Sequence, residues 1–300
     1  MISNTETSHR KPAWLKVRLP SSHEFKKVKG VLKSFNLHSV CQEALCPNIS
    51  ECFAEGTATF LILGNICTRN CLYCNIAQGN TGAVDLDEPQ RLADAARALG
   101  LRYVVITSVT RDDLADGGAE IFARCVEELR RKIRDCKVEL LIPDFKGNRQ
   151  ALARVMDSKP DVINHNIDVA PALFKRLRPQ GNYELSLELL NRARLWRDRY
   201  LKHSAIIIKS GFMVGFGETM GNIIHLLSDL SKVQCEHLTI GQYQQPSKNH
   251  WPVARYYAPD EFNHLKQTTI GMGFRRVEAG PLVRSSYHAA KSFIFYTGGA

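Results

Sequence analysis

Cys67, Cys71 and Cys74 fall within eight residues, at the spacing C-x3-C-x2-C with Tyr73 just before the last cysteine. Three thiolates brought together so tightly suit a soft metal centre far better than an apolar core. A cubane 4Fe–4S cluster held by three cysteines keeps one iron without a protein ligand, open to a small molecule. A structural zinc site is the competing reading, since Cys71-Leu72-Tyr73-Cys74 is half of such a site and a loop would supply the fourth ligand. The usual zinc pattern is two paired knuckles, which Cys67 fits poorly. Cys41, Cys46 and Cys52 form a second group of three, at C-x4-C-x5-C. This group reads either as a second iron–sulfur site or as a zinc knot with a distant fourth ligand. Pro47, Asn48 and Ser50 lie among these cysteines, so the stretch is expected to be loop. Cys125, Cys136 and Cys235 stand apart and read as ordinary buried thiols.

The elements that must carry these groups follow from the apolar pattern. Residues 58–63 read as a buried strand that delivers the chain into the Cys67 loop. Further strand candidates are 103–107, 137–142, 161–163, 205–208 and 236–240, and helical stretches lie near 88–99, 118–134, 147–157, 183–199, 219–232 and 259–270. A βα repeat without a Rossmann fingerprint predicts parallel strands with crossover helices. Six units are too few to close an eight-stranded barrel. The expected fold is therefore α/β, an open, partial (β/α)6 barrel of TIM type, over residues 57–262. Residues 1–56, with a helix expected over 23–35, form an N-terminal extension. Residues 263–300 form a C-terminal one, with a further strand candidate at 274–277.

Function in such barrels gathers where strands end. The ends here carry Thr107-Ser108, Pro143-Asp144-Phe145, Asn164-His165-Asn166, Lys209-Ser210-Gly211, Gly215-Phe216-Gly217-Glu218 and Gly241-Gln242-Tyr243. His165 alone reads first as a hydrogen-bonded structural histidine, and Arg178 as either an anion contact or a solvated charge.

Composition narrows the function classes. The net charge is +10, but the basic residues are scattered and no basic tract has interleaved aromatics. That argues against nucleic acid and leaves two readings that charge alone does not separate, a surface suited to an acidic protein or an anionic cofactor and a solvated basic surface with no partner. No run of 18 apolar residues is present, so no membrane span is expected. The first eleven residues are polar and lack a signal core. Nine cysteines without such a signal point to a reducing, cytoplasmic setting and to metal rather than disulfides.

The C-x3-C-x2-C group resembles the signature of radical S-adenosylmethionine (SAM) enzymes, in which SAM chelates the open iron and is split by one electron to a 5′-deoxyadenosyl radical. Both cysteine groups in this order, followed by Arg284-Ser285-Ser286-Tyr287, resemble the lipoyl synthase family from Lys11 to about residue 288. The resemblance implies that Cys67, Cys71 and Cys74 hold the SAM-cleaving 4Fe–4S cluster. It implies an auxiliary 4Fe–4S cluster on Cys41, Cys46 and Cys52, with Ser286 as its oxygen ligand. The implied reaction inserts sulfur, taken from the auxiliary cluster, at carbons 6 and 8 of an octanoyl chain on a carrier lysine. Implied partners are octanoylated lipoyl carrier domains (acyltransferase subunits of 2-oxoacid dehydrogenases and the glycine cleavage H protein), a reductant such as flavodoxin or ferredoxin, and an iron–sulfur carrier protein. For SAM, strand-end position nominates Thr107, Ser108, Asn164 and Glu218, with Tyr73 near the adenine. Gln42 and Ile208 depart from the usual pattern, where an acidic residue and a threonine are more common. A methylthiotransferase acting on RNA would also carry two clusters, but would be expected to have an appended nucleic-acid domain. A zinc-stabilised binding module is the non-catalytic alternative.

Overall fold

The protein is described here from a computed structural model, which covers residues 11–16, 22–55, 58–201, 206–287 and 289–290. The polar start of the chain, Ala205 of the fifth strand candidate and the final ten residues lie outside these. Helix α1 (His23–Ser34) begins where the Ser22 hydroxyl accepts the Phe25 amide, and it turns Val28 and Leu32 inward. Strand β1 (His38–Ser39) follows. The Cys41–Cys52 stretch then departs from expectation, because it is not all loop. It forms two short helices, α2 (Val40–Glu43) and α3 (Ile49–Ala54). Ser39 caps α2 by accepting the Gln42 amide, and Pro47 falls between the helices. Phe53 of α3 is fully buried, with its ring centroid 5.3 Å from that of Phe25. Packing against α1 thus overrides the local turn signals.

Strand β2 (Thr59–Ile62) opens the barrel, and β3 (Ile66–Cys67) pairs with β4 (Ala77–Gln78) around the cysteine loop. Then come α4 (Glu88–Ala98), β5 (Tyr103–Ser108), α5 (Ala119–Lys132), β6 (Lys137–Leu141), α6 (Arg149–Asp157) and β7 (Val162–Asn164). The chain continues through α7 (Pro171–Leu177), α8 (Tyr183–Tyr200), β8 (Ile207–Val214), α9 (Met220–Lys232), β9 (His237–Gln242), α10 (Pro259–Gly271) and β10 (Arg276–Gly280). The main sheet runs β1-β2-β5-β6-β7-β8-β9-β10. Every neighbouring pair is parallel except β1 with β2. Six strand–helix units therefore line up side by side, as expected of a partial barrel.

Three details differ from the sequence reading. Residues 276–280, assigned to the C-terminal extension, add a seventh parallel strand to the sheet. Helix α7, started by Pro171 in its first turn, was not anticipated. Strand β8 runs on to Val214, so Lys209-Ser210-Gly211 lie within it and not in a loop.

Side-chain alternation separates the core from the site. On β5, Val104 and Ile106 are fully buried among the hydrophobic core residues, while Tyr103, Val105 and Thr107 line the central cavity. On α5, Ile121, Phe122, Cys125, Val126 and Leu129 are buried at helical spacing. Cys125, Cys136 and Cys235 are all buried free thiols. Among the described residues no helix is long and apolar enough to cross a membrane.

Candidate active site

A cavity of about 1000 Å³ opens at the C-terminal ends of the strands, and all six grouped cysteines line it. Cys67 ends β3, and the Arg69 amide donates to its Sγ at 3.4 Å. The loop that follows is pinned from several sides. The Thr68 amide and hydroxyl both donate to the Thr110 carbonyl, at 3.0 and 2.9 Å. The Leu72 amide donates to the Leu177 carbonyl, and the Trp251 amide to the Leu72 carbonyl, each at 2.9 Å. Helix α7 and the loop after β9 thus grip the cysteine loop from opposite sides.

Arg69 anchors this loop to the barrel. Its guanidinium donates to both Asp112 oxygens at 2.7 and 2.9 Å, and to both Asp144 oxygens at 2.7 and 2.6 Å. Arg69 is 6% exposed and Asp144 2%. Burial pushes the Asp144 carboxyl up, but the hydrogen bonds and charge of Arg69 outweigh it and hold the group at about 2. Burial works against the Arg69 charge too, and the two carboxylates more than offset it. Two forked carboxylate contacts to one buried arginine fix the geometry of the residue between Cys67 and Cys71.

Beside Cys71 runs a second polar chain. The Tyr73 hydroxyl donates to Asp168 Oδ2 at 2.7 Å, and Arg178 Nη1 lies 3.2 Å from the same oxygen. Arg178 also donates to the Asn166 and Ile167 carbonyls, so it is not a solvated charge, while its Nε has no partner among the described residues. Burial and then the Asp168 charge raise the Tyr73 phenol well above its ordinary range, so it remains a donor. His165 Nδ1 meets the Ile142 carbonyl at 2.8 Å, which places its proton on Nδ1 and leaves Nε2 as an acceptor. Burial and the Arg178 charge lower its pKa and keep it neutral.

The second cysteine group faces the same cavity from α2 and α3. Burial pushes the Cys41 thiol up to about 11 and the Cys52 thiol to about 12, with neighbouring thiols adding to both. Burial likewise raises Cys46, against a lowering from the Arg284 charge. The C-terminal segment lies across these helices. Asn48 Nδ2 donates to the Leu282 carbonyl at 2.6 Å, and the Tyr287 hydroxyl bonds the Glu51 carboxylate at 3.0 Å. Arg284, Ser285 and Ser286 line the cavity with the cysteines.

The family model "Radical SAM superfamily" matches residues 61–230, and "N-terminal domain of lipoyl synthase of Radical_SAM family" matches residues 1–46. The lipoyl synthase of Chloroflexus aggregans is 50% identical over 287 residues, covering 96% of this chain and 92% of its own length. That of Proteus mirabilis is 48% identical over 291 residues, covering 96% and 89%. The chain belongs to the lipoyl synthase family of radical SAM enzymes. Among solved structures, Streptococcus suis SuiB bound to S-adenosylmethionine matches with a TM-score of 0.55 at 13% identity, over 86% of this chain and 62% of that chain. Methylornithine synthase matches with a TM-score of 0.52 at 11% identity, over 87% and 79%. Both likenesses concern the fold alone.

Family membership implies SAM, a 4Fe–4S cluster and a second cluster. The donor set fits these groups: two sets of three thiols face one cavity large enough for them. Among the described residues no three His, Cys, Asp or Glu groups are gathered tightly enough to hold a single ion. Polar atoms at the cavity fit a bound nucleoside as well. Ser108 Oγ, His165 Nε2 and Asn166 Oδ1 are buried without a hydrogen-bond partner among the described residues. Tyr73, Thr107 and Ser108 line the cavity, and Thr107 Oγ1 donates to the Leu141 carbonyl at 3.0 Å. Asn164 and Glu218 do not line it. Asn164 is fully buried with Nδ2 donating to Glu139 at 2.9 Å. The Glu218 carboxylate accepts the Gly215 amide at 2.7 Å, the Phe216 amide at 2.9 Å and the Tyr257 hydroxyl at 2.9 Å. It therefore shapes the turn after β8 and has little left for a ligand. Asn166, one of the strand-end residues, and Asp168 both line the cavity. Their place just past a strand end was the available signal.

Proposed function

We propose that this chain is a sulfur-inserting radical enzyme whose two cysteine groups have separate tasks. Cys67, Cys71 and Cys74 would hold the cluster that binds and cleaves SAM. Cys41, Cys46, Cys52 and Ser286 would hold the auxiliary 4Fe–4S cluster. When bound, these groups supply the radical that an unactivated methylene C–H requires, and the sulfur that replaces its hydrogen at carbons 6 and 8 of an octanoyl-lysine.

The observation that carries this reading is that seven donors, six thiols and the Ser286 hydroxyl, border one cavity. Leu61, Val105, Leu141 and Met213 give that cavity apolar walls that suit an alkyl chain. The Arg69 clamp and the grip of α7 hold the SAM-side cysteine loop still, so reacting atoms stay in line. Tyr73, Ser108 and His165 offer one aromatic ring, one hydroxyl and one bare ring nitrogen toward a nucleoside. The segments before β2 and after β10 both line that cavity.

The substrate of this reading is a lipoyl carrier domain bearing an octanoyl-lysine, from a 2-oxoacid dehydrogenase acyltransferase subunit or the glycine cleavage H protein. The +10 charge suits an acidic carrier. Flavodoxin or ferredoxin would supply electrons, and an iron–sulfur carrier would rebuild the consumed cluster, in the cytoplasm. Anaerobic turnover with SAM, a reductant and an octanoyl-lysine peptide tests this by mass spectrometry. Triple alanine replacement at Cys67, Cys71 and Cys74 should abolish SAM cleavage. The same replacement at Cys41, Cys46 and Cys52 should keep it and stop sulfur insertion. Equal loss of SAM cleavage in both folded variants would refute the division of tasks.

A further inference from the structure

A charged pair sits inside the barrel, where strand interiors are ordinarily apolar. Lys209 on β8 and Glu139 on β6 are 6% and 1% exposed, with Lys209 Nζ 2.8 Å from Glu139 Oε1. Tyr103 OH donates to Glu139 Oε2 at 2.6 Å, and Asn164 Nδ2 to Oε1 at 2.9 Å. A buried ion pair is a weak source of stability, because desolvation of both charges offsets their attraction. Packing alone therefore does not account for this pair.

Its second contact suggests what does. Lys209 Nζ also donates to the backbone carbonyl of Ser285 at 2.6 Å. Residue 285 lies 76 positions further along the chain, in the segment that follows β10. The barrel is shaped to receive that segment. Gly241 on β9 leaves room for it, since a Cβ there would come 2.1 Å from the Val283 carbonyl oxygen. Asn166 Nδ2 donates to Ser285 Oγ at 3.2 Å. Both oxygens of Ser285 are thus engaged by the barrel, one by Lys209 and one by Asn166. The next residue, Ser286, borders the cavity that holds Cys41, Cys46 and Cys52.

We propose that Lys209, anchored by Glu139, is a positioning residue that seats residues 283–286 in the barrel mouth and so sets where Ser286 meets the auxiliary cysteines. This rests on the reading of Ser286 as a cluster ligand. Lys209 acts through the peptide that joins residues 285 and 286.

Lys209→Met alone would strand a buried carboxylate, so the variant of choice is the double replacement Lys209→Met with Glu139→Gln. Hydrogen–deuterium exchange of the full chain, purified anaerobically, reads the seating directly. Amides 282–287 should exchange about tenfold faster or more, the size expected from one lost hydrogen bond to a charged group. Amides of β5 should keep their wild-type rates. The Mössbauer spectrum of the auxiliary cluster, recorded with Cys67, Cys71 and Cys74 replaced by alanine, should shift toward that of Ser286→Ala. A purely structural loss would not produce that site-specific shift. Wild-type exchange at 282–287 in the folded double variant would overturn the proposal. Should the double variant fail to fold, Lys209→Gln with Glu139→Gln is measured in the same way. It also removes the ammonium from Ser285 and strands no carboxylate, and the same two outcomes decide. A Ser286→Ala spectrum identical to wild type would remove Ser286 as a ligand. The exchange result would then stand by itself for or against the seating by Lys209.

Discussion

Replacing Arg69 with methionine removes four hydrogen bonds to two carboxylates and leaves Asp144 buried without its counter-charge. Breaking a buried pair from one side costs about 3–5 kcal/mol. The pH dependence of that loss can be worked out. In the native protein the Asp144 carboxyl is held at about 2, against an ordinary 3.8. At about 1.4 kcal/mol per pKa unit, this depression contributes about 2 kcal/mol to stability. A depressed pKa contributes fully above the unfolded value and loses that contribution as pH falls through the folded one. The window is therefore from about pH 4 down to about pH 2. In Arg69→Met, burial, the largest influence, is opposed only by the Lys146 amide and His165, so the carboxyl pKa rises. The variant then loses stability as pH rises, so its gap from wild type is widest at neutral pH and narrows toward pH 4. Urea titrations followed by far-UV circular dichroism, run anaerobically at pH 7 and pH 4.5, measure both gaps. A gap below about 1 kcal/mol at pH 7, or one equal at both pH values, would refute the assignment of Arg69 and Asp144 as a buried clamp.

Ser286→Ala should weaken sulfur insertion while SAM cleavage persists, and Ser285→Ala should do less harm; coupled product and 5′-deoxyadenosine assays compare them. Ser286→Cys should bind iron more firmly and slow sulfur release, seen as slower product formation at unchanged iron content. Glu218→Gln should cost about 1–3 kcal/mol of stability, because two amides and a hydroxyl lose a charged acceptor; thermal unfolding checks this, and unchanged stability would contradict the role given to the turn. Cluster assembly should release protons, since burial holds the Cys41 and Cys52 thiols near 11 and 12. Iron uptake should therefore weaken as pH falls, which iron analysis after reconstitution at pH 6.5 and 8 would show.

Local pattern carried the cysteine spacings and the six strand–helix units, because both are short-range. Strand period and helix period can be read within a dozen residues. Contacts between distant segments could not be read. Lys209 looked like a residue just past a strand end, and only the pairing of β8 with β7 and β9 turns it into the barrel beside Glu139. Glu218 looked like a ligand because of its strand-end position. Its partners include Tyr257, 39 residues away, and no sequence window links them. Helices α2 and α3 were hidden because Pro47 reads as a breaker, while the burial of Phe53 against α1 decides the outcome. Ser286 was the exception, reached through the family resemblance of its four-residue motif and not through anything local.

The contacts between the two ends of the chain bear on the order in which the protein is made. Asn48 meets Leu282 across 234 positions, and Tyr287 meets Glu51 across 236. Such contacts carry a large loop-closure cost and are expected to come after local and neighbouring strand pairs in folding. On the ribosome Asn48 and Glu51 emerge more than 230 residues before the segment that meets them. The barrel can therefore consolidate while that side of the cavity still lacks residues 282–287.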